Sequence, residues 1–196
     1  VELAEQLCAQ AKKVAKASLT GAEPVPSSFM FHRELGSFVE DSFESIAKRE
    51  LNADGLSFSF GPYRIDDSPA LPPLAALLAG SKAILAAQGD DVEKGHNPLR
   101  NGLREYQSEV YNNVDNANFL LDRLETVSKE ANPGALRRLQ EALATLVGKE
   151  PNAALRELVL CERDGRRYSP VNDLLIASQF WRPPAAAAQQ REEGGL

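Results

Sequence analysis

Between Pro98 and Ala131, apolar residues return at the spacing of one helix face. Leu99, Leu103, Tyr106, Val110, Val114, Ala117, Leu121 and Leu124 follow one another in steps of three or four, which an α-helix with 3.6 residues per turn places in a single stripe. A continuous helix over about 98–131 would be roughly 50 Å long at 1.5 Å per residue. A rod of that length needs packing along its whole apolar face. The stripe therefore predicts a mainly α protein, a helical bundle around a long central helix.

The remaining segments supply partners for it. Leu3, Leu7, Ala11, Val14 and Ala15 mark an amphipathic helix over Glu2–Ser18, and Pro24 and Pro26 then hold an extended connector, since proline fixes φ and lacks an amide donor. Phe31, Leu35, Phe38, Val39, Phe43 and Ile46 predict a helix from about Phe29 to Leu51, with Ser27 or Ser28 as N-cap. Leu71 to Ala87 reads as a buried helix. Asn132-Pro133 reads as an N-cap and first helical residue, ahead of a short helix that Gly148 ends. Pro151 to Leu158 predicts one more short helix, and Asn172 or Asp173 would cap a last one through Leu174, Leu175, Ile176, Phe180 and Trp181.

Two stretches carry β patterning. Leu56-Ser57-Phe58-Ser59-Phe60 alternates apolar and polar residues, with Tyr63-Arg64-Ile65 as a return arm past Gly61-Pro62, so a hairpin is expected near 56–65. Asp164-Gly165, a favoured hairpin turn, predicts a second near 159–171. The two are distant in sequence, and pairing into one small sheet would make the class α+β. Residues 1–182 are expected to form one helical domain with small β elements, and 183–196 a low-complexity C-terminal tail.

Composition excludes some functions. With 22 Lys and Arg against 28 Asp and Glu, a net charge of −6 and no basic stripe, the chain lacks the footprint of a nucleic-acid binder. The Leu71–Ala87 stretch is too short and too interrupted to span a bilayer, so no membrane insertion is expected. Cys8 and Cys161 make neither a Cys-x-x-Cys pair nor a disulfide framework. A soluble protein of a reducing compartment such as the cytoplasm is the default. The chain begins at Val1, which a removed leader or a trimmed longer protein would explain, so an organelle interior or delivery to another cell stays open.

Signatures for phosphate loops, zinc and serine nucleophiles are missing, and His32 and His96 are the only histidines that could activate a nucleophile. No catalytic residue, cofactor or metal site is expected. The acid pairs Glu40-Asp41, Asp66-Asp67 and Asp90-Asp91 could in principle hold a hard cation, but turn and cap roles explain the latter two.

Three features point toward binding. Asn112, Asn113 and Asn116 crowd the middle of the long helix with Asp115 and Asn118, although such residues disfavour helix interiors. They offer a recognition face, or they break the helix near residue 115. Trp181 and Arg182, followed by Pro183-Pro184, form either a core anchor or a docking motif of hot-spot residue types. Gly134-Ala135-Leu136-Arg137, with Leu139 and Ala142-Leu143-Ala144 following, resembles the arginine-finger segment of bacterial Rho GTPase-activating effector domains, without that family's later Gln-Trp-Gly-Thr element. That resemblance implies a GTPase activator in which Arg137 neutralises charge on a transferring phosphoryl group. The favoured expectation is a non-enzymatic adaptor or assembly subunit whose partner is another protein or complex. The alternatives are the GTPase activator and an enzyme whose site converges only in three dimensions.

Overall fold

The computed structural model describes residues 2–19, 24–33, 42–53, 55–87, 97–163 and 165–180. The elements run α1 (Glu2–Ala17), β1 (Ser28–Phe29), α2 (Phe43–Glu50), β2 (Asn52–Ala53), β3 (Leu56–Ser57), β4 (Tyr63–Arg64), α3 (Leu74–Ala86), α4 (Pro98–Val110), α5 (Val114–Ala131), α6 (Pro133–Val147), α7 (Leu155–Leu158), β5 (Cys161–Arg163), β6 (Arg166–Tyr168) and α8 (Val171–Phe180). The protein is mainly helical with small β elements, as its periodicity predicts.

The long central helix is not one rod. α4 ends at Val110, and Asn113 starts α5 as an extended N-cap whose side chain accepts from the Asn116 amide at 3.0 Å. An asparagine there satisfies an otherwise orphaned helix amide, which offsets the interruption. The apolar stripe survives the break: Leu99, Leu103, Tyr106, Val110, Ala117, Leu121 and Leu124 are all buried. It survives because α4 and α5 fold back on each other as a helical hairpin. A β-carbon at Gly102 would lie 2.5 Å from Leu124 Cδ1, so the small residue lets the two helices approach closely.

The expected helix over Phe29–Leu51 is also corrected. Ser28–Phe29 is a strand, Ser42 is the N-cap that accepts from the Ser45 amide at 3.2 Å, and the helix is limited to Phe43–Glu50. The Leu35, Phe38 and Val39 part of that expectation lies outside the described residues. Proline-directed extension continues into β1 because β4 offers it an antiparallel ladder, Ser28 opposite Arg64 and Phe29 opposite Tyr63.

Of the two expected hairpins, the one near 159–171 forms and the one near 56–65 does not. Tyr63–Ile65 does not return along Leu56–Phe60 but pairs with β1, beyond a cis Gly61-Pro62 bond. β3 pairs with β2 across a turn in which Gly55 takes φ 73°, a left-handed conformation easy only for glycine. β5 and β6 form the second hairpin as expected, with Gly165 at φ 69°. β3 and β6 then pair in parallel, so the hairpins join as one sheet of order β2-β3-β6-β5.

α3 lies between α6 and α8. Leu77, Ile84, Leu139, Leu143 and Leu174 are all nearly or fully inaccessible there, each burial contributing about 1.5–3 kcal/mol. Asn132 caps α6 through the Ala135 amide at 3.1 Å, Pro133 is its first residue, and Gly148 ends it at φ 68°. α8 starts at Val171, so Asn172 and Asp173 sit in its first turn rather than before it.

Candidate functional site

Pro24 and Pro26 lead an extended chain into β1, and the antiparallel register sets Phe29 beside Tyr63. One step further, the Ile65 amide donates to Ser27 O at 2.9 Å, which sets Ile65 beside Ser27. Side chains alternate along a strand, so Phe29, Tyr63 and Ile65 share one side of this ribbon. Tyr63 is fully buried there, but Phe29 keeps 45% of its surface, Ile65 64%, and Val25 just before the strand 46%. An exposed apolar side on a paired ribbon is less ordinary than single exposed leucines, and such patches mark interaction sites.

The ribbon rests on a firm base. Phe31 stacks on Tyr63 with ring centres 6.2 Å apart, and Phe29 lies 5.7 Å from Phe31. Below, the Tyr63 hydroxyl donates to Asp173 Oδ2 at 2.6 Å, and the Gly61 amide donates to the same oxygen at 3.3 Å. Arg163 lies over Phe60 at 4.1 Å and its Nη1 donates to Phe60 O at 3.3 Å. At the rim, Asp66 accepts from the Ser27 amide at 2.7 Å and the Ser68 amide at 3.1 Å, while the Arg64 guanidinium donates to the carbonyls of Leu71 and Asp66.

Burial pushes the Asp173 carboxyl up to about 7, only partly opposed by its hydrogen bonds from Tyr63 and Gly61. Burial, with the adjoining carboxylate, raises the Tyr63 phenol well above its usual range. A carboxyl titrating near neutrality is a common feature of acid-base sites, but Asp173 is only 6% exposed and Tyr63 fully covered. The pair works as an internal tie between α8 and the ribbon.

The residues singled out by sequence are scattered. Asn113 caps α5, and Asn116 donates from Nδ2 to Glu109 Oε1 at 2.8 Å, bridging the two helices of the hairpin. Asn112 is exposed in the turn beside Tyr111, whose hydroxyl donates to Glu50 O at 2.6 Å. Arg137 lies in the second turn of α6, with 82% of its side chain exposed and an i,i+4 bond to Glu141 at 3.0 Å. Trp181 and Arg182 lie outside the described residues, as do His96 and the pairs Asp90-Asp91 and Glu40-Asp41. Asp66 ties its own loop to Ser27. Cys8 is exposed on α1, and Cys161 is half-buried on β5. Among the described residues, no group of three or more His, Cys, Asp or Glu side chains could hold a metal ion, and no helix is long and apolar enough to cross a membrane.

No protein-family model, curated protein or solved structure matches this chain. The reading of its function therefore stands on its own residues. Val25, Phe29 and Ile65 escaped the sequence reading because the phenylalanines after Ser28 fit a helix period. The alternation of Val25, Ser27 and Phe29 around Pro24 and Pro26 was the signal for a strand.

Proposed function

We propose that this protein is a non-enzymatic binding module that engages another protein through the exposed side of the β1–β4 ribbon. The observation that supports this reading is the exposure of Val25, Phe29 and Ile65 beside a half-buried Phe31 and a buried Tyr63–Asp173 pair. A ribbon fixed in advance loses little conformational entropy when a partner covers it, so apolar area there converts efficiently into affinity. The helices α3, α6 and α8 serve as the scaffold.

Site-specific photo-crosslinking tests the proposal. A photoreactive residue at Ile65 should yield one defined adduct in extract of the source cells, whereas the same residue at Glu141 on α6 should not. Phe29→Ser should abolish the Ile65 adduct while leaving the circular dichroism unchanged. Identical adducts at both positions, or an adduct indifferent to Phe29→Ser, would refute it.

A further inference from the structure

Asp173 is a point at which α8 holds the ribbon. It sits in the first turn of that helix, and its Oδ2 accepts from the Tyr63 hydroxyl at 2.6 Å and from the Gly61 amide at 3.3 Å. The two donors come 110 and 112 residues earlier in the chain, so the contact exists only while ribbon and helix are docked. The ladder itself is weak, because β1 and β4 are two residues each, and a two-stranded ribbon in water is marginal without something to pack on. The packing of α3 on α6 uses Leu77, Ile84, Leu139 and Leu143, none of them from the ribbon. Release of the ribbon alone is therefore a separate event from loss of the bundle.

The surroundings of this carboxyl are short of positive charge. Asp173 is 6% exposed, and among the described residues no cation forms an ion pair with it. From β4 it meets the neutral phenol of Tyr63, and from α8 the neutral Asn172, which accepts from Gln107 of α4 at 3.0 Å. α3 approaches α8 where Gly80 faces the apolar Leu174. The charged group on the ribbon side is Arg163 of β5, which lies over the Phe60 ring at 4.1 Å, donates to Phe60 O at 3.3 Å and acts on Tyr63. Arg33 bonds to Gln179 at the other end of α8. A carboxylate buried without a paired cation is costly and the protonated acid is not, so docking favours the proton on Asp173 and water favours its loss. Burial accordingly brings its titration up to about 7.

We propose that the Asp173–Tyr63 contact is a proton-operated latch, which clamps the β1–β4 ribbon to α8 when Asp173 is protonated and lets the ribbon detach, with α3 and α6 still packed, when it is ionised. Its consequence for binding rests on the role proposed for the ribbon. A partner that covers Phe29 and Ile65 meets a preorganised surface only in the clamped form, so capture strengthens in acid.

Amide hydrogen exchange of the full chain between pH 5 and 8, corrected for the intrinsic effect of pH, tests the latch at Arg64 and Ile65, whose amides donate to Pro72 O and Ser27 O. Their opening constant should rise about tenfold per pH unit up to about pH 7 and then level off, as release of one carboxyl requires. At pH 7 both should exchange faster than the amide of Leu143 in α6, which reports opening of the bundle. Asp173→Asn cannot ionise and should make the Arg64 and Ile65 opening constants independent of pH; if that variant does not fold, the wild-type profile decides alone. Exchange at Ile65 no faster than at Leu143 at every pH, or a slope that persists in Asp173→Asn, overturns the latch. The photo-adduct at Ile65 tells the latch from the binding role. No adduct at either pH 5.5 or 7.5 refutes the binding role and leaves exchange to judge the latch, whereas equal adduct at both overturns its control of binding.

Discussion

The Tyr63 hydroxyl donates to Asp173 at 2.6 Å, joining the first turn of α8 to a strand 110 residues earlier with both side chains out of water. That bond makes stability depend on pH in an unusual direction. In the folded protein Asp173 keeps its proton up to about pH 7, whereas in the unfolded chain it releases it near the ordinary value of 3.8. Between those limits the unfolded state binds fewer protons, so the contribution of Asp173 to stability is greatest below about pH 4, falls as pH rises toward 7, and is level above. The integrated effect is on the order of 4 kcal/mol. Asp173→Asn should flatten this slope in urea titrations run from pH 4 to 8, and an unchanged slope would contradict the assignment. Asp173→Ala should instead destabilise at every pH, by roughly 1–3 kcal/mol, because Tyr63 is left without an acceptor.

Glu125 should act with the opposite sign. Burial alone would raise its pKa, but bonds from Lys129 at 2.8 Å and the Leu155 amide at 2.8 Å outweigh this and hold it below the ordinary carboxyl value. Its stabilisation is complete above about pH 4.5 and is lost as pH falls further. Ala154 provides no side-chain cap, and Glu125 caps α7 from a neighbouring helix. Glu125→Ala should cost about 2 kcal/mol at pH 7 and expose the amide of Leu155 to faster hydrogen exchange. Wild-type exchange at Leu155 in this variant would argue against the cap.

The asparagines at the α4–α5 turn divide by role. Asn113→Ala removes the cap of α5 and should lower stability by about 1 kcal/mol in chemical denaturation, despite the better helix propensity of alanine. Asn112→Ala, exposed and outside both helices, should change it by less than about 0.5 kcal/mol. Equal effects would mean that the break does not depend on the cap.

Gly80 marks where α3 meets its neighbours. A β-carbon there would lie 2.7 Å from Leu174 Cδ2 on α8 and 3.3 Å from Ala142 Cβ on α6. Glycine in a helix interior normally destabilises by about 0.5–1 kcal/mol relative to alanine. Here Gly80→Ala should nevertheless lower the melting temperature, with a net loss of roughly 1–2 kcal/mol, because Ala142 has no rotamer with which to retreat. A rise in melting temperature would show that the helices separate readily.

Arg137→Ala is expected to be silent in folding. The residue is exposed and its i,i+4 pair with Glu141 contributes only about 0.2–0.5 kcal/mol. Its melting temperature should stay within about 2 °C of the wild type.

Much of this protein is written locally. The α6 boundaries, Asn132-Pro133 and Gly148, are readable because caps act within one turn of the residues that specify them. The Asp164-Gly165 hairpin is readable for the same reason, since the turn chemistry needs only two residues. The buried stripe after Pro98 was legible too, as periodicity states which side is apolar.

What periodicity could not state is whether one stripe belongs to one helix or to two that close on each other; Asn113 fits either until Gly102 and Leu124 are seen in contact. Tertiary pairing alone decided that Tyr63 joins β1 rather than Leu56–Phe60, that β3 and β6 lie side by side, and that Asp173, a plausible cap by sequence, enters the interior to meet Tyr63. Local chemistry selects the elements because its interactions span a few residues, whereas strand partners and buried carboxyls depend on contacts between segments that the linear order keeps far apart.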